Sequence, residues 1–437
     1  MSARIARAAV LIGIAALICA ACAAPTPVPT ATTAPTATIA PTMTAAPTAT
    51  PMPAATSVPT ATPVARRLTI WLAEGEEAQP VVAAELRNAA ESAGLQLTIV
   101  PRDPDGLLIG LATDQLLGLP PPDLIWADQE ALVGLLAAET LAPLATDLPT
   151  DLLPGLRALA SSNDALWGAP LTAQDMLILL YQPDRTPPDT AAELVALSQA
   201  ARTSERAGFV QGWGAARWLA PWLYAAGGAF TTPDGNEPTL DTPEMRATLN
   251  LLRELYRAAP RNGDSYARGQ RLLAQGFAAY AIDGDWAWST YRAISDTFQV
   301  NIAPLPAFNG TPARPLIGGS LLIRHRAGQA DADDIAGLLE ALYQPAVQLR
   351  LSAALGRLPA LRALLTDESI QTDPARAAAA AHAATAPGLP PTPAARCAIF
   401  GVESFLYSAT IGELSLDNAP TLMQREALAC LRRYAQP

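Results

Sequence analysis

Residues 67–100 constrain the fold more than any other stretch of this chain. Arg67-Leu-Thr-Ile-Trp-Leu72 reads as a buried strand, residues 81–93 repeat their apolar positions at helical spacing and stop at Gly94, and Leu95-Gln-Leu-Thr-Ile-Val100 reads as a second strand. A glycine just past the last periodic residue is a natural helix stop, because it tolerates the left-handed backbone that ends many helices. Two strands joined through a helix are expected to run parallel, since the helix carries the chain back to the starting edge. That helix covers one sheet face, which implies α/β layering. After another amphipathic stretch, Pro122-Asp-Leu-Ile-Trp-Ala127 reads as a third strand. Helical segments and short strands then alternate to about Arg326. Beyond it the pattern is dominantly helical, interrupted by the Ala/Pro-rich region 377–395, and no repeat of solenoid period is present. A length of 437 residues allows two or three domains.

The N-terminus reads as a targeting signal. Arg4 and Arg7 precede an uncharged, mostly apolar stretch, residues 8–18, of signal-peptide length and too short for a comfortable membrane span. Ile18-Cys19-Ala20-Ala21-Cys22 resembles a bacterial lipobox, in which the final cysteine becomes the lipidated first residue of the mature chain; Cys19 stands where leucine is usual. Cys19 and Cys22 also form a CxxC pair, but inside a hydrophobic signal and without a redox context. Residues 23–65 are mostly Pro, Thr and Ala with no charged side chain, and the first acidic residue is Glu74. Such a segment has too little bulky apolar surface to offset its ordering entropy, so an extended, disordered tether is expected. It suits a bare spacer or a stalk carrying O-glycans. Folding is expected to begin near Arg66.

Composition removes several functions. Half of the chain is hydrophobic, 16% is charged, and the formal net charge is −11, which repels a phosphate backbone. There is no lysine, which excludes a P-loop, a protein kinase and a pyridoxal enzyme together. His325 and His382 are the only histidines, too few for a multi-histidine metal site.

A set of short blocks resembles family 1 extracellular solute-binding proteins, the group that contains maltose-binding protein. Pro122-Asp-Leu-Ile-Trp-Ala127 with Gly134-Leu-Leu-Ala-Ala-Glu-Thr-Leu-Ala-Pro-Leu144 is similar to that family's "PDI-W…GLL-PL" block. Ala165-Leu-Trp-Gly-Ala-Pro170 through Tyr181, Ala226-Gly-Gly228, Gly284-Asp-Trp-Ala-Trp-Ser289, and Asn301-Ile-Ala-Pro-Leu-Pro306 with Pro315-Leu-Ile-Gly-Gly-Ser320 follow in the family's order. The resemblance runs from Arg66 to Tyr434, and the order and spacing of the blocks carry it. It implies a periplasmic-binding-protein-like (type II) fold: two α/β lobes, three hinge crossings, and a ligand cleft that closes. Crossings are expected near residues 170–174, 317–320 and 372–375. One lobe is then about 66–172 plus 320–373, the other about 173–318 plus 374–437. The resemblance also makes residues 397–410 and 420–434 a helical hairpin turning near Glu413-Leu414. That brings Cys397 and Cys430 face to face, as a disulfide in an exported protein or as two buried free thiols.

For the site, a sugar receptor needs flat aromatic faces and planar polar side chains. Trp286 aligns with the family's stacking tryptophan, and Trp288, two residues on, is expected in the core. Trp126 aligns with a second sugar-contacting tryptophan at a strand's carboxyl end, where open α/β sheets bind ligands. Asp128-Gln129-Glu130 stands where the maltose receptor has an Asp-Arg pair, and the missing arginine argues against maltose itself. Asp175, with Gln174 beside it, aligns with a hydroxyl-binding hinge glutamate, or is an ordinary polar hinge residue. Arg217 and Trp218 occupy the place of a contact pair, although Trp213, Trp218 and Trp222 also fit a buried aromatic face. Phe400 lies near the family's late stacking tryptophan. Glu74, Glu76 and Glu77 line a loop that touches ligand in relatives, with a solvated acidic loop as the alternative for at least two.

Other motifs fail on context. Gly212-Trp-Gly214 lacks the rest of a dinucleotide fingerprint, Asp283-Gly-Asp285 resembles a metal pair without a nucleotide site, and Asp331–Asp334 suits an acidic first helical turn. No cofactor and no metal is expected. The expected function is a lipid-anchored, monomeric receptor outside the cell membrane that delivers a carbohydrate to ABC transporter permease subunits. The alternatives are a secreted carbohydrate-active hydrolase using paired carboxylates and a binding protein for another small polar solute.

Overall fold

The computed structural model describes residues 66–260, 265–295 and 297–434. The signal segment 1–22 with Cys22, and the tether 23–65, lie outside the described residues. Among the described residues nine strands build the two main sheets. β1 (Arg66–Ala73), β2 (Leu95–Arg102), β3 (Leu124–Asp128) and β4 (Gly168–Pro170) come first, then β5 (Leu177–Tyr181), β6 (Ala207–Val210), β7 (Ala278–Gly284) and β8 (Asn301–Ala303), and last β9 (Ser320–Arg324). The first sheet has the order β2-β1-β3-β9-β4, the second β8-β5-β7-β6.

The opening unit folds as its pattern dictates. The helix Gln79–Ser92 buries Val82, Leu86, Ala89 and Ala90, the i, i+4, i+7 stripe that faces a sheet, and starts with a proline in its first turn. β1 pairs parallel with β2 and with β3. The sheet is nevertheless mixed. β9 runs antiparallel to β3, with Ser320 opposite Asp128 and Arg324 opposite Leu124. The chain returns from the second lobe at the end where β3 finishes, so it can enter this sheet only by running the other way.

β5 shows how the second sheet divides two cores. Its alternate residues Leu177, Leu179 and Tyr181 join Phe209, Trp222, Val402 and Met423 on one face. Ile178 and Leu180 face the other way, into a core continuous with the first lobe through Ala375, Ala379 and Ala383 of the helix Pro374–Ala383. A period of two does this automatically, because successive side chains point to opposite faces.

The chain passes between the sheets after β4 and returns before β9. These two passages are hydrogen-bonded to each other: Gln174 N donates to Gly318 O at 2.9 Å and Gly318 N to Gln174 O at 2.8 Å. Residues Thr172–Ala173 also pair with Leu358–Pro359. A third passage enters the helix Pro374–Ala383, whose N-terminus is capped by the Asp373 carboxylate accepting from Ala375 N and Arg376 N. His382 on that helix accepts from Leu305 N at 2.9 Å, and burial holds its pKa down at about 4, so it is a neutral structural acceptor. The helices Pro393–Ile411 and Ala419–Tyr434 close the second lobe as an antiparallel pair, and a disulfide joins Cys397 to Cys430. Among the described residues no helix is long and apolar enough to cross a membrane.

Candidate functional site at the lobe junction

The carboxyl ends of β1, β3 and β7 and the two paired passages converge on one place. Gln129, the first residue of the helix Gln129–Ala137, fastens its centre. Its Oε1 accepts from Gly319 N at 2.8 Å and its Nε2 donates to Asp175 Oδ2 at 3.3 Å. Asp175 sits in left-handed backbone, φ 64°, a conformation aspartate tolerates better than most residues. Gly318 makes room for this arrangement: a Cβ there would lie 2.3 Å from Asp175 Oδ2 and 2.6 Å from Gln129 Oε1. From the second lobe, Asp285 Oδ1 accepts from Asp175 N at 3.1 Å. Two carboxyl groups therefore share the hinge. Burial, then the charge of Asp175, pushes the Asp285 pKa up to about 7, against the opposing pull of Arg357. Burial also raises that of Asp175, while Arg217 and the Gln129 amide oppose it.

Above the hinge, on the first-lobe side, Glu74 is locked. Arg357 donates to both of its oxygens, at 2.8 and 2.9 Å, and to Ser320 Oγ at 2.9 Å. Burial pushes the Glu74 carboxyl upward, but the Arg357 guanidinium and the Trp126 N–H outweigh it and hold its pKa below the usual range. Ser320 Oγ also lies 3.4 Å from Gln174 Oε1.

On the second-lobe side the aromatic group is built on glycine. Trp286 follows β7 in a single 3₁₀ turn, Asp285–Ala287. Its ring folds back over Gly284, where a Cβ would fall 2.0 Å from a ring carbon. Its Nε1 donates to Tyr266 Oη at 2.8 Å, and Tyr266 in turn donates to Asp283 Oδ1 at 2.6 Å. Asp283 also accepts from Tyr291 Oη at 2.6 Å, Gln270 Nε2 at 3.2 Å and Gly284 N at 2.9 Å. Trp218 meets Trp286 edge-on, centroids 6.1 Å apart, and the Arg217 guanidinium lies 4.9 Å from the Trp286 ring centre. Arg217, Trp218, Tyr266, Trp286 and Tyr407 line a pocket of about 490 Å³. Arg217 also reaches across to Glu130 Oε1 of the first lobe, 3.8 Å away.

An aromatic pocket over a polar hinge between two α/β lobes is the layout of a receptor cleft, and the comparisons agree. A family model described as bacterial extracellular solute-binding protein matches residues 91–378. The chain belongs to that family. Solved structures with the same fold include a cyclo/maltodextrin-binding protein complexed with maltotetraose, 19% identical over 86% of this chain and 99% of that one, with a TM-score of 0.75. A cyclic alpha-maltosyl-1,6-maltose binding protein from Arthrobacter globiformis is 20% identical over 85% and 100%, TM-score 0.74. A maltose-binding periplasmic protein from Listeria monocytogenes in complex with maltose is 17% identical over 85% and 98%, TM-score 0.72. At these identities the likeness establishes the two-lobed, periplasmic-binding-protein-like fold, as expected from the sequence.

In this solute-binding protein the candidate residues separate into three groups. Asp175, Gln174, Gln129, Arg217, Trp218 and Trp286 come together at the junction, and Asp128 stands beside them as the N-cap of the helix that carries Gln129. Trp126 differs from expectation. Its side chain is 0% exposed and packed in the first-lobe core, so it offers no stacking face in this conformation. It contributes instead the N–H that donates to Glu74 Oε2 at 3.2 Å. Glu74 is buried beside it, whereas Glu76 and Glu77 are solvated. Phe400 is 46% exposed and does not line the pocket; from the same helix it is Tyr407 that does. Trp288 is only partly buried, packed edge-on against Tyr291 and Phe298.

Arg357, Tyr266, Asp283 and Asp285 were not among the expected site residues. A buried glutamate at position 74 calls for a buried cation, but nothing local identifies Arg357, which lies 283 positions away. Asp283 and Asp285 stand within a block read for its tryptophans.

Proposed function

We propose that this solute-binding protein captures a carbohydrate, an oligosaccharide in particular, by closing its lobes on it, and delivers it to the permease subunits of an ABC importer. The observation that carries the reading is Trp286: a partly exposed indole, held by Gly284, Trp218 and Tyr266, next in the chain to Asp285, which accepts from Asp175 N in a hinge lined with planar polar groups. A pyranose offers an apolar face to such a ring and hydroxyls to carboxylates and amides. The solved structures of the same fold described as binding maltotetraose, maltose and a cyclic maltosyl-maltose support this ligand class. In the same reading residues 1–22 are a signal peptide, Cys22 is lipidated, residues 23–65 hold a monomeric receptor off the membrane, and the lobes are 66–172 plus 320–373 and 173–318 plus 374–437. Two acyl chains give durable attachment where one does not.

A thermal-shift screen over mono- and oligosaccharides tests the ligand class, because a ligand that binds only the folded state raises the melting temperature. No shift with any sugar, alongside a shift with another polar solute, refutes it. For the anchor, Cys22→Ala should release the protein into the medium, and retention on the membrane refutes that part. One observation favours a second reading, a glycoside hydrolase: two carboxyl groups at the hinge, one with its pKa pushed up to about 7, resemble an acid and base pair. Chromatography of an oligosaccharide incubated with the protein separates the two, since a receptor returns it uncleaved.

A further inference from the structure

Trp286 is partly exposed, yet its ring already has several partners within the protein. Its six-membered ring lies against Gly284, the N–H donates to Tyr266 Oη, and Trp218 packs on it in a T-shaped arrangement. The guanidinium of Arg217 lies over the ring, 4.9 Å from its centre. A sugar that stacks on the face Arg217 covers has to enter where that guanidinium sits. Arg217 is also held from the other side of the cleft by Glu130, whose Oε1 is 3.8 Å from Nη2. We infer that Arg217 is an internal competitor for the stacking face: a specificity-determining residue that occupies Trp286 in the ligand-free protein, is tethered there by Glu130, and has to be displaced before a ring can bind. This rests on the reading of Trp286 as the stacking residue.

The chemistry makes Arg217 a displaceable occupant. A guanidinium is planar and weakly hydrated, so it lies on an indole face much as a flat ligand does. Both of its attachments are modest. The ion pair joins side chains that are 34% and 78% exposed, the kind that contributes little and weakens with salt. A partly exposed cation–π contact adds a similar small amount. Together they set a threshold of roughly threefold to tenfold in affinity, low enough for a true ligand to overcome. A ligand that fits the cleft without covering the ring leaves Arg217 in place, so the threshold falls on ring-stacking ligands alone and admits those whose stacking exceeds it.

The test uses the full chain and two variants, Arg217→Ala and Glu130→Gln, each alone and combined with Trp286→Phe. Acrylamide quenching of tryptophan emission, without any sugar, should rise in both single variants, and the increment should vanish with Trp286→Phe. Titration calorimetry with maltotetraose as probe should show binding tightened roughly threefold to tenfold by Arg217→Ala. Raising sodium chloride from about 50 to about 500 mM should tighten wild type toward that value and leave Arg217→Ala nearly unchanged. Unchanged quenching overturns the inference, and so does weaker maltotetraose binding by Arg217→Ala, which would make Arg217 a ligand contact. If no form binds maltotetraose, the quenching result still decides the role of Arg217, while the carbohydrate reading is what loses support.

Discussion

Replacing Asp283 with alanine should destabilise the second lobe more than any other single change at the site. Its side chain is 2% exposed and accepts four hydrogen bonds, from Tyr266 and Tyr291 at 2.6 Å each, Gly284 N at 2.9 Å and Gln270 at 3.2 Å. Hydrogen bonds to a charged group contribute about 1.5–3 kcal/mol each, and a donor stranded in the interior costs about 1–3 kcal/mol. The four are not additive, and removing the carboxylate also relieves its own desolvation, the main reason its pKa is raised. A net loss of about 3–4 kcal/mol is the expected outcome. Asp283→Asn keeps the shape and part of the pairing, so it should lose only about 1–2 kcal/mol. Urea unfolding followed by circular dichroism measures both. The alanine variant should also release Tyr266, and with it Trp286, giving a red-shifted emission and weaker ligand binding. If Asp283→Ala unfolds within about 1 kcal/mol of wild type, the carboxylate is not the anchor that its geometry implies.

Trp286→Ala should weaken ligand binding by about thirtyfold, near 2 kcal/mol, with a smaller effect on melting. Trp288→Ala should do the reverse, at about 2–3 kcal/mol of stability because its ring is only partly buried, so calorimetry and melting curves on the pair separate binding from folding. Cys397→Ser with Cys430→Ser removes a cross-link between residues 33 apart and should cost about 3–4 kcal/mol, read as a lower melting temperature that added reductant no longer changes. Asp285 sets a pH dependence: with a folded pKa of about 7 against 3.8 unfolded, the folded state binds the extra proton between those values. Stability should therefore fall as pH rises from about 4 to 7, by at most about 4 kcal/mol, and Asp285→Asn should flatten melting temperature across that window.

The parts of the fold legible in the sequence are those fixed by local period. β1, the helix Gln79–Ser92 and β2 follow from two short apolar runs, the helical spacing between them and Gly94. The antiparallel entry of β9 was not legible, because it depends on which end of the sheet the chain comes back to after more than a hundred residues in the other lobe. The facing of Trp126 was hidden for a different reason. Residues 124–127 are all buried, so the strand carries no alternation to say which side chain looks toward the cleft. At Asp283-Gly-Asp285 the local pattern does discriminate, once the strand's end is known. Asp283 is still on β7 and points into the Tyr266–Tyr291 cluster, whereas Asp285 has left the strand and turns to the hinge.

The hinge explains why the polar groups gather at the crossings and not on the lobe surfaces. The amide of Gln129 belongs to the first lobe, yet its two ends hold Gly319 on one passage and Asp175 on the other. The backbones of these passages are themselves paired at Gln174 and Gly318. Asp285, from the second lobe, closes the circuit through Asp175 N. In the proposed two-lobe division a relative rotation must strain the Gln129–Asp175 contact, since Gln129 belongs to the first lobe and Asp175 to the second, whereas the Gln174–Gly318 and Asp175–Asp285 pairs lie within the second. If the proposed ligand takes a bond from Asp175, it acts on that same Gln129–Asp175 contact between the lobes. On the proposed function recognition and closure would then be a single rearrangement, and a side chain at Gly318, which would strike Asp175 and Gln129 together, should perturb both at once.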